Sequence, residues 1–277
     1  MSSYYEFTGE TIRVGDATLH RIRAVTDLPR HGVRAGDVGG WIAGTANLFG
    51  GAWVSGDARV FGDAQVSGGA RVFGGARVSG DAQVCGDAQV CGDAQVFGGA
   101  WVFGAAQVSG RAWVFGAARV SSDARVSGDA RVSGDARVSG RAWVFGAAWV
   151  CGGARVSGGA RVFGDARVFG DAQVSGGAEV FGDAQVSGDA EVCVSQDVLT
   201  VGPIGSESVT ATLYRTAAGH GLHVGCWDGH VDDLAAEVER RSTDWNADPA
   251  TADRWRAEYA ALELLCRVRI TGWAASQ

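Results

Sequence analysis

The chain has 277 residues, 46% of them apolar, and a formal charge of -7 in which every one of the 24 basic side chains is arginine. That apolar fraction is that of a folded protein, and the acidic balance without a basic tail argues against a general nucleic-acid binder. No apolar run is long enough to cross a bilayer, and the Met1 end has no basic, apolar, cleavable segment, so a cytoplasmic protein without a membrane partner is expected.

Residues 1–41 read as an N-terminal cap. From Tyr4 to Val25 two alternating strands flank Gly15-Asp16, the pattern of a β-hairpin. The stretch GDVGGWI, ending at Ile42, then leads into a different regime, and Trp41 is expected to plug the core that begins there.

From 42 to 198 one six-residue unit, Val-z-Gly-b-Ala-x, runs without insertion for 25 copies. Aliphatic residues start at Ile42 and Leu48 and recur every sixth position to Val198, with alanine four places on from Ala46 to Ala190. Alternation within Ala-x-Val-z puts Ala and Val on one face and x and z on the other. Glycine supplies the corner, because it takes positive φ without a Cβ penalty. A short strand and a corner every six residues make a coil, and stacked coils share one narrow Val/Ala core and a parallel backbone ladder.

This unit resembles the hexapeptide repeat of left-handed parallel β-helix proteins. The resemblance implies three units per triangular coil and a left-handed connection, against the usual crossover rule. About eight coils at roughly 4.8 Å each would give a prism on the order of 40 Å long. A differently wound solenoid is the rival architecture.

With three units per coil, outward residues 18 apart form columns on three faces. All five repeat tryptophans lie at x and ten of the eleven phenylalanines at z, so these rings are expected to point outward. The first face carries only Phe49, Trp101 and Phe103 as aromatics. The second carries Trp53, Phe73, Trp143, Phe145, Phe163 and Phe181, and the third Phe61, Phe97, Trp113, Phe115, Trp149 and Phe169. Either the stacked rings cover one another, as cross-strand pairs do, or they bury against another copy or an unknown protein partner. The interface candidates are Trp113, Phe115, Trp143, Phe145, Trp149, Phe163, Phe169 and Phe181. On the first face Arg119, Arg137 and Arg155 form a column that could hold an anion, although Asp123, Asp129 and Asp135 in the same coils are expected to pair with them.

Residues 199–277 depart from the repeat, and the stretch 194–277 carries -5 of the net charge. LTVGPIGSESVTATLYRT and HGLHVGCWDGH read as a β-hairpin, followed by helices near 231–241 and 249–270. Ala252, Trp255, Tyr259, Leu262, Leu265 and Cys266 recur there at helical spacing as one apolar stripe. The whole is expected to be an all-β solenoid with an N-terminal hairpin cap and a small C-terminal α+β capping domain.

The opening YEFTGET…LHRIRA…GDVGGWI, the GDARV-type repeats and the closing VGPIGS…LYRT…VGCWDG are similar to bacterial and phage hexapeptide proteins of the YdcK type. That group is labelled as acyltransferases mostly on the strength of the repeat, so the resemblance implies a fold more than a reaction, and a phage or prophage origin. Hexapeptide acyltransferases use a histidine base and often a loop that extrudes from a coil. Here His20, His31, His220, His223 and His230 all lie outside the repeats, and no coil is interrupted. The three zinc-binding histidines of a γ-carbonic anhydrase are missing from the repeats, and threonine arrays of the ice-binding kind are missing from the faces.

Near the C-terminus His220, His223 and Cys226 carry ligand chemistry at weak spacing. Strand alternation puts His220 and Cys226 on one side and His223 on the other, so no metal is expected. Six scattered cysteines suit a reducing compartment, and no cofactor is expected. The function that follows is a non-catalytic scaffold or interaction protein that self-associates through its aromatic faces; the alternative is an acyl-CoA-dependent acyltransferase using a terminal histidine such as His20 or His223.

Overall fold

The computed structural model of the chain describes residues 4–274. Met1, where the expectation about a leader segment rested, lies outside them. From β4 (Trp53–Val54) to β27 (Glu191–Val192), two-residue strands recur every six residues. Each pairs in parallel with the strand 18 residues on, as in Gln89↔Gln107 and Val90↔Val108. The strands sort into three sheets, one per face of a parallel β-solenoid, in the columns expected above.

Every repeat Ala from Ala52 to Ala190 and Val from Val54 to Val192 is fully buried, so the interior is a single stack of small side chains. Most bonds of the backbone ladder run one way. The N–H groups at the outward positions donate to the next coil, as in Trp53 N–H to Ala70 O at 3.0 Å and Ser55 N–H to Val72 O at 2.9 Å, while parallel pairing returns one bond per strand from the valine N–H to the coil before. Corner glycines are required twice over. Gly110 sits at φ 68°, and a methyl group on it would come within 2.8 Å of Gly128 N in the next coil. Ser122 turns the same kind of corner at φ 59° without being glycine.

At the N-terminal end β1 (Tyr5–Val14) and β2 (Ala17–Ala24) form the expected hairpin, with Val14 paired to Ala17. Strand β3 (Val38–Ile42) pairs antiparallel with β2 and parallel with the solenoid strand at Arg59–Val60, so the hairpin continues the third face into one 11-stranded sheet. Trp41 is not the plug. Ile42 faces inward at 0% exposure, and strand alternation therefore turns Trp41 outward, where the Arg21 guanidinium covers it 5.1 Å from the ring centre. The core is closed instead by Tyr5 and Ile22. Trp53 also departs from expectation: it occupies an outward position but is buried, because the cap packs over it at Gly39.

The C-terminal unit is larger than a hairpin. Strands β28 (Val198–Ile204), β29 (Val209–Thr216), β30 (Gly219–Val224) and β31 (Trp227–Gly229) make an antiparallel sheet. One side of it sits on the last coil: Tyr214 joins the solenoid core and Thr212 Oγ1 accepts the Gln185 N–H at 3.0 Å. The other side, Ala211, Leu213, Leu222 and Val224, packs on the helices. Alternation thus serves two cores with one sheet.

Helix α1 spans Leu234–Ser242 and α2 Pro249–Ala274. Tyr259, Leu262, Cys266 and Trp273 bury the inner stripe of α2. Leu265 is a correction to the expected stripe: it is turned to solvent along with Leu264 and Val268. Among the described residues no helix is long and apolar enough to cross a membrane.

Candidate functional site

The rings of the second and third faces project from the rod in ordered columns. Phe145 and Phe163 stack at 4.8 Å with their planes 6° apart, and Phe163 and Phe181 at 5.5 Å. Trp143 closes on Phe145 at 4.4 Å. On the third face Phe115 stacks on Phe97 at 5.0 Å, and Trp113 meets Phe97 edge-on. The indoles of Trp143 and Trp149 donate to Ser127 Oγ and Ser133 Oγ, at 3.0 and 3.1 Å, so a hydroxyl one coil earlier fixes each ring.

The rings therefore cover one another in part without vanishing from the surface. Trp113 is 39% exposed and Phe181 49%, while Phe115, Trp143, Phe145, Trp149, Phe163 and Phe169 are half-buried. Phe169 is not drawn into a ring pair among the described residues.

On the first face Arg119, Arg137 and Arg155 stack in register. Their pairing with Asp123, Asp129 and Asp135 does not occur. Ion pairs along the rod join residues one coil apart in the same column, Arg111 with Asp129 at 2.7 Å and Arg161 with Glu179 at 3.2 Å. The three aspartates stand at three different corners of the prism, and above or below each of the inner arginines is another arginine. Arg119 lies over the Trp101 ring at 5.4 Å, and Arg137 and Arg155 have no ion pair among the described residues.

The C-terminal histidines are separated as strand alternation requires. His220 Nε2 accepts the Val231 N–H at 3.2 Å, and its pKa is lowered by burial and then by His230. His223 lies on the solenoid side of the sheet, with Nδ1 bonded to Asp228 Oδ1 at 2.8 Å and Nε2 buried without a partner. Cys226 sits in the turn beyond, 3.3 Å from Arg241 Nη1. Among the described residues no three His, Cys, Asp or Glu side chains converge as a metal site. His20, at the other end of the molecule, packs against Phe7 at 5.0 Å.

One concave site was invisible in the sequence. Between the sheet and both helices lies a pocket of about 220 Å³ walled by Trp227, Trp245 and Tyr259 and edged by Glu207, Glu237, Arg241 and Asp244. Glu237 takes both Arg240 and Arg241, and these hydrogen bonds, Arg240 first, hold its carboxyl down at about 2. Trp245 stacks on Tyr259 and meets Trp255 edge-on. The pocket's lining comes from three strands, both helices and the segments between them, so spacing could not reveal it. The available cue was the three tryptophans within 227–255, outside the repeat.

Comparison with known proteins agrees with this geometry. The family model described as YdcK Beta solenoid repeat matches residues 52–68, 64–80, 124–138 and 160–176. No curated protein matches the chain. The matched segments all fall within the hexapeptide coils, and on repeat, sheets and match together this chain is a hexapeptide β-solenoid of the YdcK repeat type.

Proposed function

We propose that the protein is a cytoplasmic β-solenoid scaffold that works by association, binding further copies of itself through the second and third faces. The observation that carries this reading is the stacked column Phe145, Phe163 and Phe181, whose rings are fixed in place before any partner arrives. A rigid aromatic surface loses little side-chain entropy on docking. A second copy suits it in charge. The faces bear Arg125, Arg131 and Arg167, and the corner between them bears Asp57, Asp93, Asp165 and Asp183 beside the Arg111–Asp129 pair, so one copy's arginines meet the other's mostly acidic corner. The arginine column of the first face stands apart from this surface and is a place for an anion.

Sedimentation velocity over a wide concentration range tests the proposal. The full chain is expected to form a discrete oligomer, and F145S/F163S/F181S to sediment as a monomer with unchanged circular dichroism. A wild-type monomer at the highest concentration sinks self-association. Micromolar acetyl-CoA binding by calorimetry would favour the acyltransferase instead.

A further inference from the structure

The pocket of the C-terminal unit is not used by a scaffold that associates through its rod, and its walls are built with more care than packing requires. Two of the three rings are seated on a glycine. A Cβ at Gly229 would collide with the Trp227 ring, and one at Gly205 would collide with the Tyr259 hydroxyl, which also bonds Ser206. Trp245 is held from behind by Trp255 and by the Arg256 guanidinium, 5.6 Å from its ring centre. Three aromatic side chains held in fixed orientation thus line the cavity, and aromatic rings attract cations.

The charges at the rim are three carboxylates against one base. Arg241, the one base lining the pocket, is already taken up by Glu237 and Cys226. Glu207 and Asp244 line the pocket too, and neither carboxylate makes an ion pair among the described residues. The lining thus offers two uncommitted carboxylates and three aromatic rings, which attract cations and repel anions.

We propose that this pocket binds a small organic cation, an alkylated ammonium or a guanidinium group, enclosed by Trp227, Trp245 and Tyr259 and neutralised by Glu207 and Asp244. An aromatic wall favours such soft, weakly hydrated cations over a sodium ion, which keeps its water. The cation belongs either to a free small molecule or to a side chain of a protein partner, and the pocket's volume suits one cationic head in either case.

The test is a chemical-shift titration of the tryptophan indole N–H signals in the full-length protein, with Trp227 and Trp245 assigned from their phenylalanine variants. Tetramethylammonium chloride probes the free-ligand source and N-acetyl-arginine amide the side-chain source; sodium chloride and sodium acetate are controls. Saturable shifts of both indoles with tetramethylammonium alone assign a free small cation. Saturation with capped arginine alone assigns a partner's side chain, and saturation with both upholds the site for either. Trp245→Leu should weaken binding about tenfold, and Asp244→Asn, an exposed change that leaves the fold alone, several-fold. No saturation with either cation overturns the proposal, as does an equal response to acetate or an Asp244→Asn variant that binds both cations as tightly as the wild type. F145S/F163S/F181S should bind as well as the wild type, so a failure here is separable from a failure of self-association.

Discussion

The two ends of the rod look alike and need opposite chemistry. Because most of the ladder's N–H groups donate to the next coil, the first coil is left mainly with carbonyl oxygens that have no donor below, and the last mainly with N–H groups that have no acceptor above. The N-terminal end is accordingly closed by donors. Asn47 Nδ2 donates to Gly62 O and Ala64 O, at 2.9 and 2.8 Å, and the Tyr4 hydroxyl, the Tyr5 hydroxyl and His31 Nε2 serve Ala52 O, Leu48 O and Gly51 O. The C-terminal end is closed by acceptors. Asp197 Oδ2 takes the N–H groups of Cys193 and Val194, at 2.9 and 3.0 Å, and Thr212 Oγ1 takes that of Gln185. Asn47 and Asp197 sit in matching short 3₁₀ turns, Thr45–Asn47 and Ser195–Asp197, each replacing a strand at the outward position of its unit. This ladder thus has a majority direction, and that direction decides which polar residues end it.

Exchanging these two residue types is the sharpest way to break the comparison. Asn47→Asp puts a carboxylate, almost fully buried, against two carbonyl oxygens; the expected loss is about 3–5 kcal/mol, the cost of an uncompensated buried charge. Urea unfolding at neutral pH measures it, and acidification should return part of the loss as the new carboxyl protonates. The reverse change is milder. Asp197→Asn keeps one oxygen acceptor and gives up the charge on its two hydrogen bonds and the Arg215 contact at 3.6 Å, for about 1 kcal/mol. Equal losses at the two ends would mean that ladder polarity does not decide the caps.

Between the ends the coils are nearly identical, so a single departure stands out. Ser122 occupies a corner at φ 59° where its neighbours in the column, Gly104 and Gly140, are glycine. Ser122→Gly removes a left-handed backbone cost of roughly 1–2 kcal/mol and adds unfolded-state entropy of about 0.5–1, for a net gain of about 0–1.5 kcal/mol. A higher urea midpoint is expected, and a lower one would show that Ser122 contributes something the corner geometry does not.

The repeat was legible because each unit states its own fold: Ala and Val give parity, Gly gives the corner, and the period of 18 gives the columns, so every register in the solenoid followed. Polarity was not legible, since Asn47 and Asp197 look like two more outward residues until the direction of the ladder is known. Trp41 and Trp53 were misread for a related reason. Parity turns both outward, against the plug expected of Trp41, and it says nothing of Arg21 or the hairpin folding over them. The pocket escaped because Trp227, Trp245 and Tyr259 meet through tertiary packing between β31, an interhelical segment and α2, where no period connects them. The arginine column misled because pairing was sought within a coil, whereas side chains in a ladder meet their neighbours one coil away.

The smallest expected effect tests whether the donor-closed end responds to acid. His31 Nε2 donates to Gly51 O, which leaves Nδ1 as the unprotonated nitrogen, buried and without a partner. Burial lowers its pKa from the ordinary 6.5, and the nearby Arg71 and Arg30 act in the same direction against Asp87. The unfolded chain therefore binds a proton that the folded chain resists. Stability from this residue is complete above the ordinary histidine value and is lost as pH falls below it toward the depressed folded value. His220 contributes with the same sign at the other end, so the slope of the whole protein cannot isolate His31. His31→Gln keeps a side-chain donor and removes the titration. Amide exchange in β1 to β3 should quicken between pH 7 and pH 5 in the wild type and much less in the variant, while the C-terminal sheet behaves alike in both. An unchanged acid response of the hairpin in His31→Gln would place the sensitivity elsewhere.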